Sequence, residues 1–156
     1  MKNALCFTVL LAVLSCGQAD KSAAAANEYG RLLGQAGKSA SDAILLFEQA
    51  KNNADILSIL TSAKDKFSSL EKALIHIVAA YHMSDQDIAV LLNSTSDARN
   101  DALEKLEAFD QAQSANTLKF IDITSPAMEG EYIPLLQDAD ELNASMQLLK
   151  NAIMFR

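Results

Sequence analysis

His76 and His82 are the two histidines of the chain and the natural first suspects for acid–base or metal chemistry near neutral pH. Six residues apart, they stand about 120° apart around a helix and cannot share a metal while both are helical. No His-Glu-x-x-His spacing accompanies them. A structural role is expected instead, with His82 placed to favour the end of a helix beside Ser84. Carboxylates are plentiful but unspecific. Asp85 and Asp87 sit where the first turn of a helix welcomes negative charge, and Asp85–Gln86–Asp87 lacks the Gly and later oxygen ligands of a calcium loop. Glu104, Glu107, Asp110 and the group Asp138, Asp140 and Glu141 fit polar helix faces. A di-metal bundle site needs inward Glu-x-x-His pairs, and the sequence holds none. No metal and no cofactor is expected.

Nucleophile and phosphate motifs fare no better. The serines lack a Gly-x-Ser-x-Gly elbow. Gly34–Gln35–Ala36–Gly37–Lys38–Ser39 has the look of a phosphate loop but is two residues short of one and follows no strand. With no Trp and three Tyr, a stacking platform for bases or sugars is poorly supplied. The reading is that the chain is not an enzyme.

The elements that would position any site begin with an address. Met1–Lys2–Asn3 opens with one positive charge. Ala4 to Ser15 is almost wholly apolar, too short for the ~20 residues that a spanning helix needs. A basic tip, a short apolar core and a small-residue exit at Gly17–Gln18–Ala19 make an export signal, with cleavage expected between Ala19 and Asp20. Residues 1–19 are thus read as a signal peptide and 20–156 as one secreted domain. Leu14–Ser15–Cys16–Gly17 offers an alternative, since it resembles the lipobox of bacterial lipoproteins, in which Cys16 would be lipidated and the protein held at the envelope. Cys6 and Cys16 both lie within the signal, so cleavage after Ala19 leaves no cysteine and rules out disulfides and thiolate chemistry.

Removing Lys2 with the leader takes the formal charge from −7 to −8. That sign argues against nucleic acid and against anionic membrane surfaces, and suits solubility or a basic partner. Asn93–Ser94–Thr95 and Asn143–Ala144–Ser145 match the N-glycosylation pattern, making Asn93 and Asn143 candidate glycan sites in a eukaryotic setting.

The rest of the chain is helical in period. The first stripe runs through Ala25, Tyr29, Leu32, Leu33, Ala36, Ala40, Ala43, Ile44, Phe47 and Ala50. Gly30, Gly34 and Gly37 make it either one weakened helix or two that meet near Gly37. Gly30 and Gly34 also form a small-xxx-small pair that would admit a close neighbour. Asn52–Asp55 reads as a stop and a cap. A second stripe follows through Ile56, Leu60, Ala63, Phe67, Leu70, Leu74, Ile77, Val78 and Tyr81. Ser84 and Asp87 form a capping box for a third helix, with a kink expected at Asn93–Ser96. Thr117 to Tyr132 has no helical period, and Pro134 suits the first turn of a last helix. Its heptads are Leu135, Ala139, Leu142, Met146, Leu149 and Ile153.

The fold class expected is all-α: an antiparallel bundle of four to five helices with one long apolar loop before the last. That loop is the candidate partner-binding region through Phe120, Ile121, Ile123, Glu129, Glu131 and Tyr132. It also reads as a strap whose apolar residues close one end of the bundle. Two functions follow. One is a secreted, non-catalytic module that binds another macromolecule, in a host-facing or immune-related setting. The other is a carrier of a small apolar ligand lined by Met83, Met128, Met146 and Met154.

Overall fold

The computed structural model describes the backbone of residues 2–121 and 128–155, and the side chains of residues 21–121, 130 and 132–155. Five helices account for nearly all of it: α1 (Lys2–Gln49), α2 (Asn53–Ala80), α3 (Asp85–Ser94), α4 (Ser96–Asn116) and α5 (Met128–Met154). The apolar stripes become the core. Every residue of the first stripe from Ala25 to Ala50 is buried except the half-buried Ile44, and all six heptad positions of α5 are buried. Three aromatic rings fill the centre, Phe109 lying 5.9 Å from Phe47 in a stacked pair and 5.3 Å from Phe67 edge-on.

The most extensive packing joins helices that do not follow one another, α2 with α5 and α1 with α4. Phe47 meets Phe109 and Gly37 meets Ala102, so α1 and α4 run parallel. Thr61 meets Asp138 and Lys64 meets Glu141, so α2 and α5 do too. The order around the bundle is therefore α1, α2, α5, α4. The link from α2 to α3 crosses the diagonal.

α1 is one helix through Gly30, Gly34 and Gly37. Gly37 has a packing reason to be small: an added Cβ would lie 3.0 Å from Lys105 Cδ and 3.7 Å from the Ala102 backbone. Gly30 and Gly34 face no neighbour within 4 Å, so that pair does not bring a helix close. The stretch Gly34–Ser39 lies inside α1 and forms no phosphate loop.

The ends of α2 are well made. Asn52 accepts from the Asp55 N–H at 2.9 Å. At the other end the Met83 N–H reaches the Val78 carbonyl and the His82 N–H that of Ala79, closing a Schellman turn. His82 holds the left-handed position there, with φ 51, where Gly is usual. Ser84 and Asp87 then form the expected capping box.

The expected kink falls at Thr95. Its hydroxyl donates to the Leu91 carbonyl at 2.7 Å, competing with the helical ladder. Arg99 Nη2 donates to the Leu92 carbonyl at 2.8 Å, satisfying an acceptor that the break exposes.

One boundary differs from the sequence reading. α5 begins at Met128, six residues before Pro134, so the connection is shorter than expected and Pro134 lies within the helix. Pro134 has no N–H for the carbonyl of residue 130, four positions earlier. That residue is Gly130, exposed and with no neighbour within 4 Å of a Cβ, so water can serve its carbonyl and the ring meets little crowding.

Candidate functional site

α2 has two flanks, and they are built from different side chains. Toward α5 the seam is spanned by long or bonded groups. Thr61 donates to Asp138 at 3.0 Å, and Lys64 reaches Glu141 at 2.8 Å and Asp138 at 3.7 Å. The hydrogen bond from Lys64 is the main reason that the Glu141 carboxyl is held below its ordinary pKa, and that of the Lys64 ammonium is raised in turn.

Toward α1 several α2 positions are serines, and a concave strip opens in two grooves, with a third beside them on α2 itself. The first, of about 380 Å³, runs over Ala50 and Ile59 between Leu46, Asp55, Ser58 and Ser62. The second, of about 340 Å³, lies between Lys38, Ser39 and Asp42 of α1 and Lys66, Ser69 and Leu70 of α2. The third, of about 600 Å³, spreads across α2 from Ala54 to Lys66 and shares Ser58 and Ser62 with the first and Lys66 with the second. Helical spacing creates the strip. Ser39, Asp42 and Leu46 recur at three and four residues on α1, and Ser58, Ser62 and Ser69 at four and seven on α2, so each set shares one side of its helix along the groove.

Apolar surface stands at one end of the strip. Leu46 is 47% exposed and Leu45, just before it, 53%. Lys38 and Lys66 make no ion pair with any described residue, whereas Lys64, Lys105 and Lys150 are all engaged. The strip can therefore take an apolar side chain at its Leu46 end and polar groups along its serines. Nothing in it resembles a nucleophile beside a base.

The residues singled out from sequence fall elsewhere. Phe120 and Ile121 are half-buried against the core, with the Phe120 carbonyl 3.5 Å from Asn53 Nδ2. Tyr132 is half-buried on the second turn of α5. Ile123 lies outside the described residues, as do the side chains of Glu129, Glu131 and Cys16. Asn93 and Asn143 are both exposed. Their sequon hydroxyls are turned to the backbone, Thr95 to Leu91 and Ser145 to Glu141.

His76 and His82 are exposed. No group of three or more His, Cys, Asp or Glu able to hold a metal exists among the described residues. Among them, too, no helix is long and apolar enough to cross a membrane. Met146 is buried and Met83 and Met154 are half-buried, while the Met128 side chain is not described.

The α1–α2 strip has a signal in the sequence. Ser58, Ser62 and Ser69 take positions on α2 where long charged residues are usual on a solvated face. No protein-family model, curated protein or solved structure matches the chain.

Proposed function

We propose that the protein is an exported, non-catalytic helical module that binds another macromolecule along the α1–α2 strip. The observation that carries this reading is exposed Leu46 at the edge of a serine-lined groove over Ala50 and Ile59. Buried apolar anchors beside short polar groups are what a docked polypeptide exploits, because the anchor supplies most of the affinity and the rim excludes water.

The leader supports export. The described core begins at Ala25, five residues past the Ala19–Asp20 junction, so cleavage there leaves every described core residue in place. A lipid on Cys16 would tether the same bundle at an envelope and keep the same strip free to bind. The formal charge of −8 after cleavage supports a basic partner, drawn in by long-range attraction.

The test is capture from the extracellular fluid of the natural source with tagged protein beginning at Asp20. A partner that is retained by the native protein and lost with Leu46→Asp supports the reading. Capture unaffected by Leu46→Asp, or no specific partner in the fluid, sinks it.

A further inference from the structure

The base of the bundle is held by a knot in which one cation has no carboxylate partner among the described residues. Tyr29 of α1 is fully buried and donates to the Ile153 carbonyl, and its ring stacks on Phe155 at 5.3 Å. Arg99 of α4 lies beside them, half-buried. Nη2 is spent on the Leu92 carbonyl, Nη1 points at the Met154 sulfur at 3.5 Å, and Nε is buried with no partner. No carboxylate of a described residue lies within ion-pair distance of Arg99. A guanidinium carries five donors that suit strong oxygen acceptors, and a thioether is a weak one. Met154 keeps part of its surface open to solvent, whereas Met146 on the same helix is sealed in the core.

We propose that Met154 is a modification site, oxidised to the sulfoxide by a peroxide and accommodated in that form by Arg99. Hydrogen peroxide transfers one oxygen to the sulfur, whose lone pair forms the new S–O bond. The O–O bond breaks, the peroxide is reduced to water and the thioether is oxidised by two electrons. The new oxygen carries partial negative charge and stands within reach of Nη1, replacing a weak contact with a charge-assisted one. Methionine oxidation ordinarily disrupts packing, because it puts a polar group among apolar ones. Here the neighbour is a cation short of acceptors, so the modified knot holds.

The experiment treats the folded protein with dilute peroxide, maps the added oxygen by peptide mass and compares thermal unfolding before and after. Met154 is expected to oxidise while Met146 does not, with no loss of melting temperature. In Arg99→Met, which keeps the bulk without the donors, the same oxidation should destabilise. The difference between the two backgrounds is expected to be about tenfold or more in the unfolding equilibrium, as for hydrogen bonds to charged groups. Should Arg99→Met fail to fold, Met154→Gln supplies a fixed amide oxygen, and its stability in the native and Arg99→Lys backgrounds replaces the comparison. There the planar guanidinium should favour Gln and the ammonium should not. The proposal is overturned if Met154 resists peroxide until the chain unfolds. Equal destabilisation with and without Arg99, or no preference of the guanidinium for Gln, overturns it too.

Discussion

The two flanks of α2 belong to one helix and share one core, yet they have opposite fates. On the α5 side, Thr61 and Lys64 reach Asp138 and Glu141 and close the seam. On the α1 side, Ser58, Ser62 and Ser69 are too short to reach anything, and a strip stays open beside Leu46. The difference teaches that side-chain length on the shoulders of a bundle decides which grooves it keeps for itself. Apolar stripes set which face of each helix goes inward. The shoulder residues then set which seams remain available to a partner.

Phe67 tests how far both flanks depend on the common core. It is fully buried with its ring against Phe109. Phe67→Ala should cost about 3–5 kcal/mol, since a ring-sized cavity at the bundle centre cannot collapse fully. Chemical denaturation reads this directly. A loss below 1 kcal/mol would mean that α2 is held chiefly by its flanks.

Ser62→Lys sharpens the contrast on the open side. It fills the strip with a long side chain that has solvent to enter, so stability should change by no more than about 0.5 kcal/mol. Partner capture should fall all the same. On the closed side, Lys64→Gln should lower the melting temperature slightly, and the difference should shrink as salt is added, because Lys64 is partly exposed and screened.

The smallest effect is in pH. Glu141 on the closed flank and Asp87 in the α3 capping box are both held below the ordinary carboxylate pKa by hydrogen bonds, from Lys64 and Ser84 respectively. A lowered folded pKa contributes stability that is fully present above the unfolded value and is lost as pH falls through the folded one. Stability should therefore decline as pH drops below about 4, and Lys64→Gln should flatten part of that slope. The open flank predicts no matching change for Ser62→Lys.

Much of the fold was legible because burial leaves a periodic trace. The stripes Ala25–Ala50 and Leu135–Ile153 could be read residue by residue, and the capping box at Ser84 and the kink near Thr95 came from local backbone chemistry. Three features left no such trace. The parallel pairing of α1 with α4 depends on which face meets which helix, and amphipathic period does not encode that. The early start of α5 needed Gly130 beneath Pro134 to be seen as permission and not as a break. His82 at a left-handed position gave no sign, because Gly is the residue that marks such turns. The candidate site was the least legible part. Phe120 and Ile121 pack against the core as a strap of large apolar residues should, while the strip is made of serines, whose meaning lies in what they leave empty.

The proposed binding face is the α1–α2 strip, and one paired measurement tests that proposal most directly. Leu46 is 47% exposed beside the strip, and Leu148 is 54% exposed on α5 away from it. Both would be changed to Asp, and capture from the native extracellular fluid compared with the unaltered protein at equal folded concentration. Leu46→Asp should lose the partner by at least about tenfold, as for an anchor worth 1.4 kcal/mol or more, while Leu148→Asp retains it. Loss with Leu148→Asp and retention with Leu46→Asp would place the binding face elsewhere and contradict the account.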